Sequence, residues 1–198
     1  RKTMKKLTIL ITIVTFTLFT SCKKDKKETV TEDTKTETKT TNTTTTKERK
    51  KLQVRLESKS GSNVSGTAIF TQDDGIVTMI AVLDGLTEGT HAIHLHEKAD
   101  CSSEDGTSTG GHWNPTKQPH GEWGSQNGYH KGDIGNFTAD AKGNGMAKII
   151  TDEWCIGCGD ETKDILGKAI IVHEGSDDFK TQPTGAAGGR VSCGGIIQ

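Results

Sequence analysis

The chain has 198 residues, of which 25 are Lys or Arg and 26 are Asp or Glu. This length allows one globular domain with accessory segments and is too short for a complete eight-fold β/α barrel, which takes about 250 residues. Residues 1–50 carry 13 Lys/Arg against 6 Asp/Glu, whereas residues 51–198 carry 12 against 20 and all 7 His. The acidic second part has no basic patch, which argues against nucleic-acid binding.

The first segment, residues 1–21, has the pattern of an export signal. Two lysines precede an apolar run at 7–19, which is too short to cross a bilayer comfortably because a spanning helix takes about 20 residues. The run leads into Leu-Phe-Thr-Ser-Cys at 18–22, a sequence similar to a bacterial lipobox. We expect lipidation of Cys22, with an ordinary signal peptide and an unrelated cysteine as the alternative. The expected location is the bacterial cell envelope, where the lipid anchors the chain to a membrane facing the periplasm or the cell surface.

The next segment, residues 22–50, consists mainly of Thr, Lys and Glu, and Val30 is its only large aliphatic residue. Such a segment buries too little apolar surface to offset the entropy lost on ordering. We predict a disordered tether that joins the lipid to a domain at 51–198.

The domain shows short β-strands separated by turns. Leu52, Val54 and Leu56 alternate with polar residues, which is typical of a half-buried strand. Further runs rich in β-branched residues lie at 64–70, 76–83, 145–151 and 168–173, with Asp-Gly and Asn-Gly turns among them. No stretch shows helical periodicity. The pattern predicts an all-β sandwich or barrel, and the long segments 97–133 and 174–190 predict two functional loops.

Six of the seven histidines gather on strands and in the first long loop. His94 and His96 are two apart on a predicted strand, so their side chains share one face and can meet one metal ion. The other candidate ligands are His112, His120, His130, Asp133 and His173. Imidazole suits zinc and copper, and a carboxylate favours zinc at one site. The set exceeds what one metal ion can use.

Four segments resemble the signature sequences of copper/zinc superoxide dismutase. They are Gly-Thr-His-Ala-Ile-His-Leu-His-Glu at 89–97, Gly-Gly-His-Trp-Asn-Pro at 110–115, His-Lys-Gly-Asp-Ile-Gly-Asn at 130–136 and Gly-Ala-Ala-Gly-Gly-Arg-Val-Ser-Cys-Gly at 185–194. The resemblance runs in order from about residue 52 to 198. It implies an eight-stranded Greek-key β-barrel, an immunoglobulin-like sandwich with two long functional loops. It also implies disproportionation of superoxide to dioxygen and hydrogen peroxide, protecting the cell envelope.

The resemblance assigns a role to each candidate ligand. It implies copper bound by His94, His96, His112 and His173, and zinc bound by His112, His120, His130 and Asp133. His112 would be a deprotonated bridge between the metals and would pass a proton to the departing peroxide. Asp177 would link His94 to His120, and Arg190 would lie beside the copper and guide the superoxide anion.

The five cysteines fall into three groups. Cys22 is the expected lipidation site, and the resemblance implies a disulfide between Cys101 and Cys193, which an exported protein permits. Cys155 and Cys158 depart from the family pattern. For them we favour a small structural disulfide within a loop over an auxiliary metal or redox role, or free thiols.

Two other functions compete with the enzyme. A non-catalytic protein could buffer or carry copper and zinc, although such a protein needs neither Arg190 nor a shared imidazolate. A metallo-β-lactamase-like hydrolase is disfavoured, because it requires Asp and His shortly after the His-x-His pair, where this chain has Lys98 and Ala99. The resemblance is compatible with a homodimer or a monomer.

Overall fold

The computed structural model describes residues 49–198, which form eight strands and one short 3-10 helix, Thr107–Thr109. The strands are β1 (Lys50–Ser58), β2 (Ser65–Asp73), β3 (Ile76–Asp84), β4 (Gly89–His96), β5 (Gly135–Ala139), β6 (Gly145–Thr151), β7 (Ala169–His173) and β8 (Arg190–Gly195). The predicted signal peptide, Cys22 and the tether up to residue 48 lie outside the described residues. Within residues 49–198, no helix is long and apolar enough to span a membrane.

The strands close into one antiparallel barrel in the order β1-β2-β3-β6-β5-β4-β7-β8. The non-consecutive neighbours β3–β6 and β4–β7 give the Greek-key connectivity, and they confirm the predicted fold. The β2–β3 hairpin turns at Asp74-Gly75, where both residues have positive φ of 49° and 82°. A two-residue turn of this kind matches the twist of the strands it joins.

Alternating side chains fill the barrel. On β3, the buried residues Val77, Met79, Ala81 and Leu83 point inward between exposed or half-buried neighbours. Trp154, from the loop after β6, is 1% exposed and joins the same core. The loop from residue 152 to 168 therefore belongs to the packed structure.

Both predicted long loops are present, at 97–134 between β4 and β5 and at 174–189 between β7 and β8. We call the first of them the ligand loop. It returns to the end of β4, where the backbone N–H groups of Leu95 and Trp113 donate to Gly132 O and Leu95 O at 2.9 and 2.8 Å. A Cβ at Gly132 would lie 2.2 Å from Leu95 O, so this close approach requires glycine.

Candidate metal centre

The end of β4 brings His94 and His96 together with two histidines from other elements. His94, His96, His112 and His173 are all buried, and their ligand atoms lie within 4.8 Å of one another. His112 reaches this position because the ligand loop forms a β-bridge between His96 and His112. We call these four residues the all-histidine group.

A second group adjoins the first and shares one member with it. His112, His120, His130 and Asp133 are buried and also place their ligand atoms within 4.8 Å of one another. The Nδ1 atom of His112 lies 2.9 Å from Asp133 Oδ1, while the ring of His112 stacks 4.0 Å from that of His94. We call these four residues the mixed group, and His112 belongs to both.

The ring nitrogens show that both groups are built for cations. Among the described residues, six buried side-chain nitrogen or oxygen atoms make no hydrogen bond, and all six belong to these histidines: His94 Nδ1, His96 Nε2, His112 Nε2, His120 Nδ1, His130 Nδ1 and His173 Nε2. An unsatisfied buried polar atom costs about 1–3 kcal/mol. Metal coordination satisfies such nitrogens, so the donor set fits copper and zinc.

In two rings of the all-histidine group, a hydrogen bond from Nδ1 fixes the tautomer. His96 Nδ1 donates to Gly110 O at 2.9 Å, and His173 Nδ1 donates to Gly188 O at 3.3 Å. A carbonyl oxygen only accepts, so the proton stays on Nδ1 and the lone pair remains on Nε2. Both rings therefore present a free lone pair to the centre of the group.

Asp177 connects the two groups through a pair of hydrogen bonds. Its Oδ2 accepts from His94 Nε2 and its Oδ1 accepts from His120 Nε2, both at 2.9 Å. Because the proton of each ring is on Nε2, its Nδ1 carries the lone pair that can coordinate a cation. The carboxylate thus holds one ligand of each group in the tautomer that binds a cation.

Burial and charge set the pKa values of the site. Burial lowers the pKa of His112 to about 4, against the opposing contact with Asp133. Burial would raise the pKa of the Asp133 carboxyl, but contacts with three histidines hold it well below its usual range. Burial alone would lower the pKa of His120, but Asp133 and Asp177 raise it to about 9. The ring of His112 therefore favours the neutral form, and Asp133 stays ionised within the mixed group.

Arg190 is half-buried beside the all-histidine group. It begins β8, opposite His173 on β7. Its Nη1 donates to Gly106 O at 2.8 Å and to Thr109 Oγ1 at 2.9 Å. Burial is the main cause that lowers the pKa of His96 and His173, and the charge of Arg190 adds to it in both.

Two residues that support the site, Asn136 and Gln182, were not predicted from the sequence. Asn136 Nδ2 donates to Asp177 O and its Oδ1 accepts from Asp177 N, both at 2.8 Å. Gln182 pairs in the same way with the backbone of His120, at 2.8 and 2.9 Å. Asn136 ends one of the signature segments, which is a usable signal, whereas no pattern points to Gln182.

The seventh histidine, His91, is buried but lies outside both groups. Its Nδ1 lies 3.0 Å from His173 O and its Nε2 lies 2.9 Å from Thr87 O. A neutral ring donates from one nitrogen only, and the Thr87 hydroxyl, 3.3 Å from Nε2, is a donor for the other. These contacts let His91 support the chain around His173.

Two disulfides are present among the described residues. Cys101 and Cys193 join the ligand loop to β8 over a separation of 92 residues. Cys155 and Cys158 are joined within the loop after β6, over a separation of 3 residues. The second bond gives the pair the disulfide form that the sequence analysis favoured.

A closed Greek-key barrel with adjoining all-histidine and mixed histidine–aspartate groups defines a binuclear metalloprotein of the superoxide dismutase type. The family model for copper/zinc superoxide dismutase matches residues 64–196. The chain belongs to the copper/zinc superoxide dismutase family. It is an oxidoreductase that uses copper and zinc, as the sequence predicted.

Solved structures of similar proteins agree with membership of this family. The clock protein EA4 is 33% identical, with a TM-score of 0.64, over 74% of this chain and 94% of that chain. A double mutant of a SOD-like protein from Bacillus subtilis is 30% identical, with a TM-score of 0.62, over 74% and 97% of the two chains. A single mutant of a SOD-like protein from the same organism is 29% identical, with a TM-score of 0.64 and the same coverage.

Proposed function

We propose that the all-histidine group holds copper, that the mixed group holds zinc, and that together they carry out the disproportionation of superoxide to dioxygen and hydrogen peroxide. The observation that supports this most directly is the set of six buried ring nitrogens without a hydrogen bond, divided between two groups that share His112. Two of them, His120 Nδ1 and His130 Nδ1, lie 3.0 and 3.2 Å from carboxylate oxygens of Asp133. Imidazole donors suit copper, and a carboxylate among imidazoles favours zinc. Copper supplies the one-electron redox chemistry, which zinc lacks.

His112 is the proton carrier in this proposal. Its Nδ1 is held at the Asp133 carboxylate, while its Nε2 faces the all-histidine group without a hydrogen-bond partner. Because Asp133 holds Nδ1, Nε2 is the ring atom that would take up and release the proton. That proton passes to the departing peroxide.

Arg190 is the proposed substrate guide. Its guanidinium is fixed by the ligand loop and adds positive charge next to His96 and His173. A small anion is attracted by a fixed cation of this kind, and the local field opposes the net −8 of residues 51–198.

The activity is tested on the full chain loaded with copper and zinc, by following superoxide decay after pulse radiolysis. We expect about one copper and one zinc per chain, and fast decay that His112→Gln slows by roughly 100-fold or more, because proton carriers contribute about 10²–10⁴-fold. Binding of both metals without accelerated decay would instead support a metal-buffering protein.

We also propose that the protein acts in the bacterial cell envelope, attached to a membrane by a lipid on Cys22. Support comes from the export-signal pattern at 1–21 and the lipobox-like sequence at 18–22. A lipid anchor would place the activity where superoxide reaches the cell surface or periplasm.

A further inference from the structure

The loop between β6 and β7 carries two cysteines that neither ligand group uses. Cys155 is 6% exposed and Cys158 is exposed, and their Cα atoms are 6.0 Å apart. Together with Asp164 they form a third cluster of metal-ligating side chains among the described residues. We call residues 155–159 the cysteine turn.

Asp164 supports the cysteine turn independently of the disulfide. Its Oδ1 accepts hydrogen bonds from Gly157 N at 2.9 Å and Leu166 N at 3.0 Å, and its Oδ2 accepts from Gly159 N at 2.9 Å. The carboxylate therefore lies inside the turn and accepts the hydrogen bonds of these backbone N–H groups. With these amide donors already on both oxygens, Asp164 is a support for the turn and a poor further ligand.

The barrel also holds the turn from outside. Ile156 is fully buried, and its N–H donates to Gln72 Oε1 at 2.7 Å. The ammonium of Lys50 donates to Ile156 O, also at 2.7 Å. Contacts from β1 and β2 thus fix the residue between the two cysteines, so opening the S–S bond leaves both Cα atoms in place.

We propose that the reduced cysteine turn is a binding site for one monovalent copper ion, held by the thiolates of Cys155 and Cys158. Thiolate sulfur is a soft ligand that selects Cu(I), and two thiolates satisfy its preference for low coordination numbers. A structural zinc site instead takes four ligands. The turn supplies two sulfurs and an aspartate already engaged by the backbone, which favours Cu(I).

The site opens by thiol–disulfide exchange with a dithiol donor. A donor thiolate attacks Cys158, which is exposed, and the sulfur of Cys155 leaves. The second donor thiol then releases Cys158, so the donor is oxidised to a disulfide while the turn gains two electrons and two protons. One Cu(I) ion displaces both thiol protons without changing its oxidation state, and the resulting single negative charge lies near Lys50.

Cys158 is exposed, so a dithiol donor can reach its sulfur. Gly159, which follows Cys158, lines a surface groove of about 680 Å³ together with Asp164 and Lys168. The histidines of the all-histidine group are buried, and none of them lines this groove. The cysteine turn is therefore an accessible copper site separate from the proposed catalytic one.

The test uses the full chain with copper and zinc already bound. Wild type and Cys155→Ser/Cys158→Ser are reduced with dithiothreitol, freed of it under nitrogen, and titrated with Cu(I) against a chromophoric Cu(I) chelator. We expect reduced wild type to take about one more Cu(I) per chain than the double variant reduced in the same way. The Cys101–Cys193 pair is common to both proteins, so its contribution cancels.

Three results would overturn the proposal. They are equal Cu(I) uptake by wild type and the double variant, displacement of the bound Cu(I) by equimolar Zn(II), and a Cys155–Cys158 bond that dithiothreitol cannot reduce in the folded protein. Should the double variant fail to fold, alkylation of Cys158 in reduced wild type replaces it, and we expect the additional Cu(I) to be lost. Unchanged uptake after alkylation also contradicts the proposal.

Discussion

Arg190 and His96 donate hydrogen bonds to the same acceptor, the carbonyl oxygen of Gly110. The distances are 2.9 Å from Arg190 Nη2 and 2.9 Å from His96 Nδ1. One carbonyl of the ligand loop thus fixes both the position of the guanidinium and the tautomer of a proposed copper ligand. Charge placement and ligand orientation are coupled through a single backbone group.

This coupling predicts unequal effects of two substitutions at Arg190. Arg190→Lys keeps the charge but loses part of the hydrogen bonding to Gly106, Thr109 and Gly110, whereas Arg190→Glu reverses the charge. Because electrostatic steering changes association rates by about 10–10³-fold, we expect the Glu variant to be slower than the Lys variant by at least 10-fold. The measurement is the pulse-radiolysis rate against ionic strength at equal copper occupancy.

Arg55 provides the matched control. It is exposed on β1, so Arg55→Glu makes the same change in net charge on the outside of the barrel. Exposed charges farther than about 8 Å are largely screened at physiological ionic strength, and we expect little effect. Equal rates for both Arg190 variants and wild type would show that Arg190 is not in the substrate path.

The link through Asp177 predicts weaker binding of zinc when the carboxylate is replaced. Asp177→Asn leaves only one acceptor oxygen for the two Nε2–H groups of His94 and His120, so one ring loses its partner. We expect a zinc affinity about 10–100-fold lower, measured by chelator competition. Asp178→Asn changes the adjacent, exposed carboxylate and should leave zinc affinity unchanged; comparable losses in the two variants would argue against a specific role of Asp177.

The two disulfides should differ in their contribution to stability. A cross-link stabilises chiefly by restricting the unfolded chain, so the contribution grows with the size of the closed loop. We expect Cys101→Ala/Cys193→Ala to lower the free energy of unfolding by about 4–5 kcal/mol, and Cys155→Ala/Cys158→Ala by about 2 kcal/mol. Urea unfolding followed by circular dichroism measures both, and a larger loss for the second pair would contradict this order.

The histidine pKa values predict a stability maximum near neutral pH for the metal-free protein. Burial lowers the pKa of His96 to about 2 and of His173 to about 3. Below about pH 6.5 the unfolded chain therefore binds protons that the folded protein does not, and the free energy of unfolding falls as pH falls. This loss continues down to the folded pKa values.

His120 acts in the opposite direction. Burial alone would lower its pKa, but Asp133 and Asp177 raise it to about 9. Its contribution is complete below the unfolded pKa of about 6.5 and is lost as pH rises through about 9. Urea titrations of the metal-free protein at about pH 5, 7 and 10 test the expected loss of stability on both the acidic and the basic side. A free energy of unfolding that stays constant from pH 5 to 7 would be inconsistent with buried neutral histidines.

Cys22→Ala should release the protein from the membrane while leaving superoxide decay unchanged. The lipid is the only proposed anchor, and each of its buried CH₂ groups contributes about 0.8 kcal/mol to membrane binding. Cell fractionation with an activity assay on each fraction measures the shift. A variant that still sediments with membranes would place the anchor elsewhere in the chain.

Local patterns in the sequence predicted the strands that carry alternating apolar residues, and the spacing of His94 and His96 predicted a shared face. Strands β5 and β8 were not located from the pattern, because glycine and polar residues dominate them and pairing with β4 and β7 determines their form. Gln182 reaches His120 across 62 residues of chain. Such a contact depends on how two loops fold over the barrel, and no short-range pattern encodes it.

The loop after β6 also makes contacts that the sequence does not predict. Trp154 and Glu153 pack against the ligand loop, where Tyr129 donates to Glu153 at 2.6 Å and Lys131 pairs with the same carboxylate. The cysteines of this loop stand out in the sequence, but no pattern predicts its contact with the residues on either side of His130.

All three tryptophans of the chain lie in or against the ligand loop. Trp113 follows His112 and is 3% exposed, Trp154 Nε1 donates to Lys131 O at 2.8 Å, and the ring of Trp123 lies 5.6 Å from that of Trp154. The ultraviolet emission of the unlabelled protein therefore originates beside the proposed metal ligands. Loading of the metals, and loosening of the loop that carries their ligands, can be followed as a change in intrinsic fluorescence without attaching a dye.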